Sequence, residues 1–347
     1  MRYSSIGTLC ALLVMSASCS SPRDYYLDSP GGDAVEIKAL YGILDAPGTS
    51  EEERFAVLQK LGADMSKRED YARLITLLSE EIASRPNGPY NAMHMLTIAW
   101  SYARQGADKV ATLYYDRILK NYPDLIVNGE SIHYACLRRL IGLVEEPERR
   151  IEFRRELVAR FPDKIDMGTE LFFMGNEYEA LGQWDDALDA YRRFLPFFGP
   201  EIPGRPDAVR YARSFIDLAT IPKTWTHESL DALLTVVKQA LVTGNTRALS
   251  RLRAGVGFFA MDWHQDLDSG NSQVLFDFAV FMSGGRIYFS DTLDAASNAR
   301  EAFLRTWGWT ERISTWYLYF RKVDFPADPE VHGRWEWAGI YFGEKLQ

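Results

Sequence analysis

Apolar and polar residues follow a helical period through most of residues 50–222. In "IAWSYARQGADKVATLYYDRILKNYPD", residues 98–124, apolar side chains recur every three or four positions, and Gly106 and Pro123 interrupt the pattern. This spacing places apolar side chains on one face of a helix, and glycine and proline are typical where helices end. The segment is therefore predicted to form two short amphipathic helices joined by a tight turn at Gly106.

The same pattern returns 76 residues further along the chain, in "MGNEYEALGQWDDALDAYRRFL". Matching positions in the two segments include Tyr102 and Tyr178, Gly106 and Gly182, Ala111 and Ala187, Tyr115 and Tyr191, and Leu119 and Leu195. An intermediate copy fits "YACLRRLIGLVEEPERRIEFRRELVARFPD", and an earlier one fits "AVLQKLGADMSKREDYARLITLLSEEIASRPN". We therefore predict four helix pairs between about residues 50 and 200, followed by one solvating helix.

These shared positions resemble the tetratricopeptide repeat (TPR), in which small residues, tyrosine, glycine and alanine recur at fixed spacing. The resemblance implies an α-solenoid of helical hairpins whose first helices line a concave groove. It places seven residues at that groove: Met93, Leu96, Trp100 and Arg104 in the second repeat, and Phe172, Asn176 and Glu179 in the fourth. We expect these residues to bind a partner such as a peptide helix. The alternative is that the groove packs against the C-terminal part of the chain.

The period changes after Pro222, and seven of the nine tryptophans follow this residue. The segments "GRIYFSD", "ISTWYLYFRKVDF" and "GRWEWAGIYFG" alternate as strands do, which places Trp316, Leu318 and Phe320 on one face. A helix is predicted over "LDAASNAREAFLRTWG", between the first two strands. Helices followed by a short set of strands indicate a small α+β domain, with Trp335 and Trp337 either in its core or exposed for stacking on sugars.

The first residues, "MRYSSIGTLCALLVMSASC", combine Arg2 with an apolar run that is too short to span a bilayer. Small residues stand directly before Cys19, which resembles a bacterial lipoprotein signal of the spirochaete type. The resemblance implies that residues 1–18 are removed and that Cys19 carries lipid, including palmitate. By resemblance to proteobacterial lipoprotein sorting, Ser20 after the cysteine implies the outer membrane, on its periplasmic face, rather than the inner membrane. The alternative is an ordinary secretory signal peptide.

The fold class predicted from these patterns is mainly α, with a TPR-like α-solenoid followed by a smaller α+β domain. The predicted segments are the signal peptide over residues 1–18, a linker and first helix over 19–49, the repeat domain over 50–222 and the α+β domain over 223–347.

Charge and composition exclude several classes of function. The net charge of −9 and the lack of a Lys/Arg run argue against a nucleic-acid partner, because phosphate binding needs a basic surface. The three cysteines are too few for a disulfide framework, and Cys136 lies in an apolar stretch that predicts a small buried hydrophobe. No phosphate-binding loop or nucleophile elbow is present, so we predict no cofactor and no catalytic residue.

One segment, "DWHQDLDSGN", could carry chemistry. Asp262, His264, Asp266 and Asp268 occupy alternate positions, and histidine with carboxylates can bind zinc or another divalent ion. A polar loop explains the same residues without a metal, and this is the interpretation we adopt.

Three functional hypotheses follow from the sequence. The favoured one is a non-enzymatic, lipid-anchored TPR scaffold that binds envelope proteins through its concave groove. Its layout is similar to the TPR lipoprotein of the outer-membrane β-barrel assembly machine, although the C-terminal domain sets it apart, and to treponemal TPR lipoproteins partnered with TRAP transporters. The second is a ligand-binding or transporter-associated periplasmic protein. The third is a metal-dependent hydrolase that uses Asp262 and His264.

Overall fold

The computed structural model describes residues 24–28, 31–197, 201–265, 276–282 and 285–345. The predicted signal peptide and Cys19 lie outside these residues. The chain forms two compact units, of which the first ends at Glu145 and the second begins at Glu146. None of the described helices has both the length and the apolar character needed to cross a bilayer.

The described part of the first unit is almost entirely helical. Its elements are α1 (Asp24–Leu27), α2 (Ala34–Asp45), α3 (Glu51–Lys67), α4 (Tyr71–Ser84), α5 (Asn91–Arg104), α6 (Asp108–Asn121), β1 (Ile126–Val127), β2 (Glu130–Ser131) and α7 (Ile132–Leu143). The helices α3, α4, α5, α6 and α7 each pack against the helix that precedes or follows them within this unit. The predicted turn is present, since Gly106 follows α5 with a φ of 74° that glycine adopts without strain.

Local sequence explains where these helices start. Ser50 and Glu53 form a capping box at α3: the Ser50 hydroxyl accepts a hydrogen bond from the Glu53 backbone N–H, and the Glu53 carboxylate accepts one from the Ser50 backbone N–H. Between α6 and α7, Asn128 and Gly129 both have positive φ, as a two-residue hairpin requires, and they join β1 to β2. Ser131 then caps α7 by accepting a hydrogen bond from the Tyr134 backbone N–H.

The second unit combines helices with a mixed sheet. Its elements are α8 (Pro147–Arg160), a short 3-10 helix (Pro162–Lys164), α9 (Met167–Ala180), α10 (Trp184–Phe194), α11 (Ala208–Thr220), α12 (Leu230–Val242), α13 (Thr246–Leu252), β3 (Phe259–Asp262), α14 (Phe278–Phe281), β4 (Tyr288–Phe289), β5 (Glu301–Trp307), β6 (Trp316–Lys322) and β7 (Trp335–Phe342). The strand order is β3-β7-β6-β5-β4, with β3 parallel to β7 and the other pairs antiparallel.

The sequence predicts a helix between the first two C-terminal strands, and this prediction is wrong. Its second half is β5, in which Ala302, Leu304 and Thr306 are fully buried and the residues between them are more exposed. The sequence "NAREAFLR" has good local helix propensity, but β5 pairs with β6 along its length, from Glu301–Arg321 to Thr306–Trp316. Tertiary pairing therefore overrides the local preference.

The sheet packs one face against α12 and α13. Trp316, Leu318 and Phe320 share this face, as their alternation predicts, and lie in one core with Leu233 and Val237. Trp335 and Trp337 are buried in the same core, so they are structural residues and do not offer rings to sugars. A second core joins α9, α10 and α11 to the connection between β6 and β7.

We predict that Gly175→Ala destabilises the protein by about 1–3 kcal/mol. A β-carbon at this position would lie 2.5 Å from the Tyr191 ring, which is itself buried and cannot move aside. Gly42, in α2, is the matched control because an added β-carbon would meet no atom within 4 Å. Gly42→Ala should stabilise the protein by about 0.5–1 kcal/mol through helix propensity. Urea denaturation would show both shifts, and a neutral Gly175→Ala would contradict this packing of α9 on α10.

Candidate partner-binding surfaces

Four of the predicted groove residues form one stripe on α5. Met93, Leu96 and Trp100 are half-buried and Arg104 is exposed, whereas Met95, Ile98 and Ala99 on the opposite side are buried. Residues spaced by three and four positions lie on the same side of a helix. We call the stripe Met93, Leu96, Trp100 and Arg104 the α5 surface.

Aromatic and cationic groups meet at one end of the α5 surface. The Trp100 ring contacts the Tyr71 ring edge to face, with the centroids 5.8 Å apart. The Arg104 guanidinium lies 5.8 Å from the Trp100 ring centroid, a cation–π distance. Arg104 also forms a hydrogen bond with Tyr71, and this bond is the main reason why the pKa of Arg104 is raised. Trp and Arg in such an arrangement are the residue types that most often dominate binding energy at protein interfaces.

Buried polar residues fix α5 from its other side. The Asn91 amide donates hydrogen bonds to the backbone carbonyls of Arg85 and Pro86, at 2.7 and 3.2 Å. His94 is only 3% exposed, and its Nδ1 atom has no hydrogen-bond partner among the residues that the structure describes. The structure places this histidine in the core.

Burial lowers the pKa of His94 to about 4, because the charged imidazolium loses its hydration. In the unfolded chain the pKa is about 6.5. Between these values the unfolded state binds more protons, so the stabilisation is complete above pH 6.5 and is lost as the pH falls towards 4. We expect a loss of up to about 3 kcal/mol from this residue.

His94→Gln should therefore make the stability of the protein less steeply dependent on pH between 6.5 and 4.5. His264→Gln is the control, since the His264 side chain is 72% exposed. Urea midpoints measured across this pH range by circular dichroism would test the prediction. Equal slopes for wild type and His94→Gln would show that His94 does not remain neutral in the folded state.

Of the three fourth-repeat residues, the chain itself covers Phe172, whereas Asn176 and Glu179 are half-buried. Phe172 is fully buried, with its ring 5.2 Å from the Phe194 ring and 6.4 Å from the Tyr211 ring of α11. The Arg205 guanidinium covers it further, 5.0 Å from its centroid. Phe172 thus contributes to the core of the second unit.

Asn176 and Glu179 take part in one hydrogen-bonded cluster. The Tyr191 hydroxyl donates to Asn176 Oδ1 at 2.8 Å and also to Glu179 Oε1. The Tyr211 hydroxyl donates to Glu179 Oε2 at 2.8 Å. Burial raises the pKa of Glu179, although the two tyrosine hydrogen bonds oppose this shift. The structure therefore brings Phe172, Asn176 and Glu179 together in the second unit, as it brings together the four α5 residues in the first.

Asp262 and His264 form a local pair at the turn after β3. The Asp262 carboxylate accepts a hydrogen bond from the His264 backbone N–H at 2.7 Å, and His264 Nδ1 lies 3.1 Å away from it. These contacts lower the pKa of Asp262. Asp266 and Asp268 lie outside the described residues. Within the part of the chain that is described, no group of three or more His, Cys, Asp or Glu side chains could hold a metal ion.

Cys136 is fully buried in α7. Burial raises the pKa of its thiol to about 12, so the thiol stays protonated and unreactive at neutral pH. This confirms that it is a small core residue.

One family comparison bears on these surfaces. Residues 95–125 match the family model of the tetratricopeptide repeat. The match begins within α5 and runs through α6, so it includes Leu96, Trp100 and Arg104. Repeats of this family suggest a role in protein–protein interaction, and the family is typically non-catalytic. No curated protein matches the chain.

Proposed function

We propose that this protein is a non-enzymatic, lipid-anchored scaffold of the bacterial envelope, which binds a protein partner on the periplasmic side through the α5 surface. The observation that carries the proposal is the half-exposed stripe of Met93, Leu96 and Trp100, of which Leu96 and Trp100 lie inside the segment that matches the tetratricopeptide repeat. Apolar side chains that remain partly exposed on a helix of this family are suited to the apolar face of a partner helix.

The chemistry of the α5 surface restricts the partner. Met93, Leu96 and Trp100 supply apolar area, and methionine adapts its shape to different side chains. Arg104, at the end of the stripe, can form a bidentate pair with a carboxylate. The expected partner is therefore a peptide segment with two or three apolar residues on one face and an aspartate, a glutamate or a chain terminus at one end.

A photo-crosslinking amino acid in place of Leu96 should form one discrete adduct with an envelope protein in intact cells. Leu113, on α6, is the matched control because it is an apolar residue that is 65% exposed and lies outside the α5 surface. Arg104→Glu should reduce the adduct at position 96 at least fivefold through charge repulsion, while Lys109→Glu should leave it unchanged. Equal adducts from positions 96 and 113 would contradict binding through α5.

The lipid anchor rests on Cys19 and on the small residues before it. Several acyl chains at this position would hold the protein firmly on a membrane surface. We expect the wild-type protein to take up a palmitate analogue and to partition into the detergent phase. Cys19→Ala should abolish both, whereas Cys10→Ala, inside the predicted signal peptide, should change neither. Incorporation of the label into Cys19→Ala would contradict the assignment of the anchor.

A further inference from the structure

A cavity of about 370 Å³ opens within the second unit, between α11, the loop before β3 and the end of β6. Its walls are partly apolar, with Leu218, Phe258 and Phe259, and partly basic, with Arg210 and Arg321. The volume is within the range of sites that bind small molecules, and a few polar groups on apolar walls are typical of such sites. None of the residues predicted from the sequence to bind a partner lines this cavity.

Two acidic residues line the cavity, of which Glu336 is buried and hydrogen-bonded and Asp324 is exposed to solvent. Glu336 is only 3% exposed, and its two carboxylate oxygens accept hydrogen bonds from Trp225 Nε1 at 3.0 Å and from Arg321 Nε at 2.8 Å. The Asp324 side chain is 90% exposed, and its carboxylate lies 3.8 Å from His332 Nδ1. The Glu336 charge is therefore already paired with Arg321, and solvent screens the charge of Asp324.

Arg321 is held in position by this arrangement. Glu336 fixes the Nε side of the guanidinium, and Trp225 in turn fixes Glu336. The terminal nitrogens of Arg321 make no hydrogen bond with any residue in the described part of the chain. A guanidinium that is already oriented by a buried carboxylate loses little side-chain entropy when it binds an anion.

We propose that this cavity binds a small organic anion with a flat apolar body, such as an aromatic carboxylate. The carboxylate pairs with the terminal nitrogens of Arg321, and Arg210 adds positive charge from α11. The apolar body packs on Leu218 and on the Phe258 and Phe259 side of the cavity. This activity is independent of partner binding at the α5 surface, which lies in the first unit, and it gives a chemical class to the hypothesis of a ligand-binding protein.

Calorimetric titration of the full chain with 2-naphthoate tests the proposal. We expect one saturable site, and we expect 2-naphthamide, which has the same body without the charge, to bind at least tenfold more weakly. Arg210→Glu should weaken 2-naphthoate binding at least tenfold. Arg213→Glu is the matched control, because it makes the same charge change at an exposed position on the same helix that does not line the cavity.

Two further variants locate the ligand. Ser214→Phe places a ring in the cavity from α11 and should abolish 2-naphthoate binding. Arg321→Lys retains the charge beside Glu336 but loses the planar pair of donors, and it should weaken binding severalfold. Melting temperatures close to wild type would show that each variant is folded. Absence of saturable binding, equal affinities for the acid and the amide, or equal losses in Arg210→Glu and Arg213→Glu would overturn the proposal.

Discussion

The packing of Phe215 against Phe325 is the interaction on which the second unit depends. The two rings meet edge to face with their centroids 5.2 Å apart, and they join α11 to the connection between β6 and β7. Stacked helix pairs leave an apolar face at an open end, and this face must be covered. Here Val323, Phe325 and Val331 cover it from the sheet side and share one core with α9, α10 and α11. The last helix pair, α11 and the connection between β6 and β7 therefore share one hydrophobic core.

The core that α9, α10 and α11 share with the β6–β7 connection also determines which helix surfaces remain accessible to a partner. On α9, Tyr211 and Arg205 cover Phe172, while the half-buried Glu179 accepts hydrogen bonds from two tyrosines. On α5, the corresponding side remains half-exposed. The same helix, α11, then borders the cavity that contains Arg321. The helix α11, which follows the last helix pair, thus packs against Phe172 of α9 and also forms one wall of the cavity.

The sequence was sufficient for features that depend on local spacing. Gly106, Ala111 and Tyr115 recur at fixed distances, and the helix pairs that they predict are present. It was insufficient where partners lie far apart in the chain. The sequence of β5 predicts a helix, but pairing with β6 makes it a strand. Glu179 is predicted to bind a partner, but it accepts a hydrogen bond from Tyr211 on another helix. Arg154 on α8 and Glu170 on α9 also form a buried ion pair, which no local pattern predicts. No local pattern could assemble a cavity from residues 210, 258 and 321.

The uneven distribution of tryptophan has a spectroscopic consequence. Trp309, Trp316 and Trp337 are almost completely buried in the core beneath the sheet, whereas Trp100 is the only tryptophan before residue 146. Intrinsic fluorescence will therefore report mainly the melting of the sheet, and circular dichroism will report mainly the helices. Replacing the eight tryptophans after residue 146 is impractical, but quenching by iodide separates the signals, because an anion near Arg104 reaches Trp100 more readily than it reaches the buried indoles. Iodide quenching of Trp100 fluorescence would therefore show whether a partner covers the α5 surface.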